Sequence, residues 1–427
     1  MRIKIPFGQA ELPIDLEQKN IGEIIYPVKV KKKNEEKVII DGLNNPIESR
    51  SFKDFLKGGK NILIIVNDGT RSTPTAKILD AIKNIIVDFP VKFLIATDVS
   101  RAPTEQECNL IFGKNYMHFG GQVFVHDSRK KEDLILLGKT RHKTPIYLNK
   151  LAIEADRIIV IGSVAPHYYA GFTGGRGLIF PGIAGYESIL ANRKLAIDDN
   201  AIVLETENNP VFTDALDAVN ALKTDNIFSI QIVQDSQRNI YDVKTGELNA
   251  SFLAAINSAR EIYCVSIKSK YDVVVTVVPY PYDTDLYQSQ VAVDNVKHVL
   301  KENGILIFIS ECRNGIGKRA FFDLLMDAFS PEEAMMKIQE EYKLGYHKSA
   351  KIIGILQTSQ IWALTNLNPD DLESIFIKPY DSIQDAFDSA IKEKGDDVKI
   401  LFLMHGSITI PVIEKKKVFS VIKDLKF

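Results

Sequence analysis

Cysteine is scarce in this chain: three in 427 residues, at Cys108, Cys264 and Cys312, with no CxxC pair. That spacing supplies neither a disulfide framework nor a structural zinc site, and reads as small hydrophobes in a reducing compartment. Long apolar runs are missing too, and none approaches the roughly 18 residues that span a bilayer. The N-terminus, MRIKIPFGQAELPID, lacks an apolar core followed by a small-residue cleavage site, so the expected location is the cytoplasm. An excess of charge of one sign is also absent: 53 Lys and Arg face 55 Asp and Glu. Such a balance argues against a broad nucleic-acid-binding surface, and the Lys31-Lys32-Lys33 cluster reads as a solvated loop. Among the seven histidines no HxH, HxxH or HExxH spacing occurs, so no protein-only metal site is expected. No repeat of fixed period is visible.

What is present is a globular composition, 45% hydrophobic and 25% charged, long enough for two or three domains. Short apolar runs rich in Ile, Val and Leu recur at 62–66, 93–96, 158–161, 273–278, 305–309 and 400–404. Apolarity without alternation predicts strands covered on both faces. Helical spacing lies between them, at 76–87, 253–263 and 292–302. The alternation predicts an α/β fold with mostly parallel sheets. Residues 197–217, rich in Asp and Asn, read as a connection. The main boundary is expected near residue 265, giving domains 1–265 and 266–427, with the last twenty residues able to cross back.

Open α/β sheets bind ligands beyond the carboxyl ends of their strands, and the polar loops fall there. After 62–66 comes Asp68-Gly69-Thr70-Arg71, in which Arg71 suits a carboxylate clamp and Asp68 a hydroxyl acceptor. The alternative is that Asp68 caps a helix starting near Pro74 and Arg71 is solvated. After 158–161 comes His167, suited to proton transfer, or else packed under Tyr168 and Tyr169. Next is Gly171-Phe172-Thr173-Gly174-Gly175-Arg176-Gly177, which reads either as an anion-binding nest with an arginine partner or as a plain glycine-rich turn. It is neither a Walker A loop nor a GxGxxG fingerprint, and no GxSxG elbow surrounds Ser100 or Ser163.

These motifs, with Ala96-Thr97, Arg101, Pro103-Thr104, Pro181-Gly182-Ile183, Ala191-Asn192, Asn209-Pro210, Asp214, Tyr280-Pro281, Asp283, Tyr287-Gln288 and Gly345-Tyr346-His347-Lys348, occur in an order that resembles the nickel-dependent lactate racemase family. The resemblance implies two α/β domains facing each other across a cleft that holds a lysine-tethered nickel pincer nucleotide. It also implies hydride exchange at the α-carbon of a 2-hydroxy acid, with two histidines moving the hydroxyl proton. Carried over by position, Asp68, Thr70 and Arg71 hold cofactor and substrate, His167 is one base, Thr173, Gly174, Gly175 and Arg176 form the phosphate cradle, and Gln288 lies near the cofactor. The implied partner is a small anionic hydroxy acid or sugar acid. The sequence carries no signal of oligomeric state.

Four positions to which the family gives a chemical role depart from its pattern. The family's Ala-Thr-Gly-x-His-Arg run reads Ala96-Thr97-Asp98-Val99-Ser100-Arg101 here, so the second histidine base is Ser100; the tethering lysine is Gly177, the nickel-ligating histidine after Ala-Asn is Arg193, and a substrate-side lysine is replaced at Val291. Glycine cannot form the tether, a protonated arginine has no lone pair for nickel, and serine alone is no general base. The expectation is a divergent racemase or epimerase that is not an ordinary nickel-pincer lactate racemase. The alternative is a nucleotide- or anion-binding or regulatory homologue that has lost catalysis.

Overall fold

The apolar runs become the central strands of two sheets in the computed structural model, which describes residues 1–222 and 224–414. The chain forms two compact units, Val28–Tyr263 and, separately, Met1–Pro27 together with the chain from Cys264 onward.

In the Val28–Tyr263 unit, six strands run in the order Ile240–Gly246, Ile227–Gln234, Arg157–Ser163, Ile62–Asn67, Val91–Ala96 and Val123–Val125. All neighbours are parallel except the Ile240–Gly246 edge. Ile62, Ile64 and Val66 pack on one face with Phe93 and Phe228, while Leu63 and Ile65 pack on the other with Leu94, Val160 and Ile179. Both faces being covered explains the unalternating pattern, and each such side chain contributes about 1.5–3 kcal/mol by burial. The helix Thr75–Ile86 buries Ile78, Leu79, Ile82 and Ile86, spaced to share one face, against the same core.

The other unit holds a fully parallel sheet in the order Lys378–Pro379, Gln360–Leu364, Leu300–Ser310, Tyr271–Val278, Ile400–Leu403 and Ile21–Ile25. The expected division at 265 is therefore corrected at the other end of the chain. Residues 1–27 belong with the C-terminal half, because Ile21–Ile25 pairs with Ile400–Leu403 and the hairpin of Arg2–Phe7 and Ala10–Asp15 seats Ile3, Ile5 and Ile14 on Val273, Val275 and Phe402. Of the last twenty residues, Ile410–Ile413 pairs with Cys264–Ile267 in this same unit, and 415–427 lie outside the described residues.

Two further expectations are corrected. The stretch 292–302 is not one helix: a single turn, Val291–Asp294, and a 3-10 turn, Lys297–Val299, precede a strand that already begins at Leu300. Four valines in nine residues are poor helix formers, and Leu300 is taken into the sheet opposite Tyr271. Within 197–217, Pro210–Asn220 is a helix, started by Pro210 at its first turn and capped by the Asn209 carboxamide, which accepts from Val211 and Phe212 N–H. Cys108 and Cys312 are buried, Cys264 is half-buried, and all three are free thiols. Lys31, Lys32 and Lys33 are exposed. No helix among the described residues is long and apolar enough to cross a membrane.

Candidate active site

Three adjacent parallel strands, Val91–Ala96, Ile62–Asn67 and Arg157–Ser163, end at the same edge, and their loops carry most of the expected residues. In the first turn after Asn67 the buried Asp68 accepts from Thr70 N at 3.1 Å and Thr70 Oγ1 at 2.6 Å, leaving Thr70 and Arg71 on the exposed rim. Asp68 caps no helix: the helix behind it starts after Pro74 without a side-chain cap. Thr73 Oγ1 donates to Asn67 Oδ1 at 2.7 Å and receives Ser163 Oγ at 3.1 Å, which joins this turn to the loop carrying His167.

His167 stands in a two-residue hairpin, Pro166–His167 against Gly171–Phe172. Ala170 N donates to its Nδ1 at 3.2 Å, so the neutral ring carries its proton on Nε2 and presents a donor there. Tyr168 stacks on the ring at 5.0 Å and Tyr169 meets it edge-on at 4.5 Å. Asn209 Nδ2 donates to Tyr169 O at 2.8 Å, tying that hairpin to the helix it caps.

The glycine loop is not the open nest the sequence allowed. Thr173 Oγ1 bonds inside its own turn, to Ser163 O and Ala165 N. Gly174 has φ +146°, and a Cβ there would lie 2.4 Å from the Phe252 ring. The N–H of Gly175 is consumed by Gln231 Oε1 at 2.9 Å, and a Cβ at Gly175 would stand 2.2 Å from the same carboxamide. Arg176 turns inward: only 4% exposed, it stacks on Phe212 at 4.2 Å and Phe252 at 4.8 Å and donates to Asn249 Oδ1. Burial pulls its guanidinium down to about 9, against the pull of Glu247. Packing requires glycine at 174 and 175, and Arg176 is buried with its Nε and Nη1 without a hydrogen-bond partner among the described residues.

The substituted positions hold a feature that no single motif revealed. Arg193, from the helix Tyr186–Lys194, forms an ion pair with Asp98, the second residue after the strand Val91–Ala96. Asp98 sits at φ +56° and donates its own N–H to Gly182 O. Burial pushes its carboxyl above the ordinary value, while Arg193 and Arg71 pull it back and Asp68 reinforces the rise. The sequence signal for Asp98 was its place in the Ala-Thr-Gly-x-His-Arg pattern, where the family has glycine. Ser100 is exposed, and Arg101 forks onto Glu107 at 2.7 and 2.8 Å. Gln288, exposed on the single turn Leu286–Ser289, and half-buried Val291 belong to the other unit. There Lys348 is buried, donates to Tyr287 O at 2.6 Å, and is pulled down to about 8 by desolvation.

Residues 7–204 match the lactate racemase N-terminal domain, and residues 266–412 match the lactate racemase C-terminal domain. The chain belongs to the lactate racemase family. It is 31% identical over 410 residues to the lactate racemase of Thermoanaerobacterium thermosaccharolyticum, covering 93% of each. With the lactate racemase of Lactiplantibacillus plantarum it shares 24% identity over 424 residues, 95% of this chain and 98% of that one. The lactate racemase apoprotein structure from T. thermosaccharolyticum matches with a TM-score of 0.88 at 30% identity, over 97% of this chain and 100% of the other.

Lactate racemase family membership implies the tethered nickel nucleotide, and the residues at its implied contact points do not fit it. Gly177 has no amine, although a Cβ there would meet nothing within 4 Å, so crowding does not exclude a lysine. Arg193 offers nickel no lone pair and is held by Asp98. Among the described residues no three His, Cys, Asp or Glu side chains gather as a metal-ligand set.

Proposed function

We propose that this lactate racemase family member binds a small anionic 2-hydroxy acid or sugar acid in the cytoplasm and acts on it as a divergent racemase or epimerase, without the lysine-tethered nickel nucleotide. The observation that carries the reading is Arg71, an exposed guanidinium at the strand-end edge, whose neighbour Asp68 is engaged by Thr70 and so leaves it for a ligand carboxylate. His167, joined to that turn through Ser163 and Thr73, stands beside it with its proton on Nε2. Near-neutral net charge suits a small-molecule partner and no nucleic acid.

A second reading, an anion-binding homologue without turnover, is favoured by the chemistry at two positions. Ser100 cannot act alone as a base, and His167 with Nδ1 engaged by Ala170 presents a proton, not a lone pair. Calorimetry with a panel of 2-hydroxy acids and sugar acids, followed by polarimetry and solvent-deuterium exchange, separates the two. Binding weakened at least tenfold by Arg71→Ala, with inversion or exchange in the wild type, supports the enzyme. The same binding without exchange supports the homologue, and no binding of any panel member overturns both.

A further inference from the structure

The Asp98 carboxylate is only half employed. One oxygen, Oδ2, takes the Arg193 guanidinium, while Oδ1 is buried and has no hydrogen-bond partner among the described residues. The Val99 backbone N–H also favours the charged form of the carboxylate. A buried acceptor oxygen without a donor costs free energy that a ligand donor restores. Oδ1 itself is closed to solvent, and the 27% of the side chain that stays exposed lies on its other atoms, so a donor meets Oδ1 only as neighbouring side chains shift. Its backbone is also held in the left-handed region, at φ +56°, where a residue other than glycine is strained and where such strain clusters at functional sites. Arg71 and Asp68 act electrostatically on the same carboxylate from the next strand's loop.

We propose that Asp98 Oδ1 accepts a hydrogen bond from the α-hydroxyl of a 2-hydroxy acid whose carboxylate Arg71 holds, making Asp98 the residue that selects hydroxy acids over their deoxy and oxo counterparts. The inference rests on the carboxylate-binding reading above and adds the hydroxyl contact to it. Arg193 is a positioning residue: it holds Oδ2, fixes the carboxylate plane and so aims Oδ1. An oxo acid brings a second acceptor to an acceptor, and a deoxy acid leaves Oδ1 without a donor. The hydroxyl proton stays on the ligand oxygen throughout, so the contact is recognition and requires no co-reactant.

The test uses two matched pairs on the full chain, lactate against propanoate and D-gluconate against 2-deoxy-D-gluconate, titrated by calorimetry. The expected result is that in at least one pair the hydroxy acid binds roughly 10- to 100-fold more tightly, less than a fully enclosed site gives because Asp98 is partly exposed. In the Asp98→Gly/Arg193→His protein, which leaves no arginine unpaired, the hydroxy acid drops to the affinity of its deoxy partner and the deoxy acid is unchanged. Arg193→Gln lowers the same ratio, and Arg193→Lys restores part of it, a pattern that loss of fold alone does not produce. Equal binding of both members of each pair by the wild type overturns the proposal while leaving carboxylate binding at Arg71 intact. Discrimination retained by the doubly substituted protein overturns it as well. Should that protein fail to fold, Asp98→Asn, which tolerates the left-handed backbone, decides on the same ratio: a reduced ratio supports the contact and an unchanged one overturns it. Binding by no acid in either pair removes the carboxylate reading together with this one.

Discussion

Asp98 and Arg193, 95 residues apart in the chain, form an ion pair that joins the loop after the strand Val91–Ala96 to the last turn of the helix Tyr186–Lys194. In the family pattern that the chain resembles, the two positions are glycine and a metal-ligating histidine. Here both carry charge, of opposite sign. An arginine alone at 193 would be a mostly buried cation, and an aspartate alone at 98 a strained anion. Each substitution is intelligible only with the other.

That coupling is measurable as a double-mutant cycle in urea unfolding. Arg193→Ala is expected to cost about 2 kcal/mol, since it strands a partly buried carboxylate, and the figure stays below that of a fully enclosed pair because Asp98 keeps some solvent. Asp98→Gly is expected to cost less, about 1 kcal/mol, because glycine relieves the left-handed backbone. The double Asp98→Gly/Arg193→Ala protein should be no less stable than the worse single variant, a coupling of about 1 kcal/mol or more. Strict additivity would mean that the pair contributes nothing net.

Nickel content tests the ligand set independently of any turnover. Protein made in cells that also produce the pincer nucleotide is expected to carry no stoichiometric nickel by elemental analysis and no covalent mass increment at residue 177. About one nickel per chain would contradict the assignment of Arg193 as an ion-pair residue.

Much of the fold was legible because the buried strands announce themselves: Ile62–Asn67 and Tyr271–Val278 are covered on both faces and carry almost nothing polar. The N-terminal strand Ile21–Ile25 was not, because Gly22 and Glu23 interrupt its apolar run, and its partner Ile400–Leu403 lies at the far end of the chain. At the site, loop positions could be read from strand ends, and the turn of Asp68, Thr70 and Arg71 falls where expected. What the sequence hid was direction. Arg176 beside glycines looks like an anion contact, yet Phe212 and Phe252, dozens of residues downstream, draw it inward. Long-range pairing hid Asp98 in the same way.

The glycine loop offers a contrast between two neighbours. Gly175→Ala forces a Cβ to within 2.2 Å of the Gln231 carboxamide, which is buried and already holds the Gly175 N–H. A loss of about 1–3 kcal/mol is expected from this overpacking. Gly177→Ala and Gly177→Lys meet open space, at a helical position without positive φ, and should leave stability unchanged or raise it by up to about 1 kcal/mol. Thermal melts of the three proteins decide it, and a Gly177→Lys protein as unstable as Gly175→Ala would contradict the packing described.

Acid sensitivity should arise in the C-terminal unit from His405. Its Nδ1 is buried with no partner among the described residues, its ring meets Tyr282 edge-on at 4.8 Å, and burial pulls it down to about 4. The folded protein therefore keeps this ring neutral while the unfolded chain protonates it near pH 6.5. The contribution to stability is complete above about pH 6.5, declines as pH falls toward 4, and is fully lost below that. At about 1.4 kcal/mol per pKa unit its size is about 3 kcal/mol. His126, whose Nε2 donates to Ala184 O, and His298, whose Nε2 donates to Pro411 O, are also lowered by burial and slope the same way. Replacing His405 by Phe should thus flatten the decline between pH 6.5 and 4 without abolishing it. Denaturant unfolding of both proteins at pH 7.5, 5.5 and 4.5 measures the difference. Parallel stability curves would show that His405 titrates alike in the folded and unfolded chain, and the acid lability would then belong to the other two histidines.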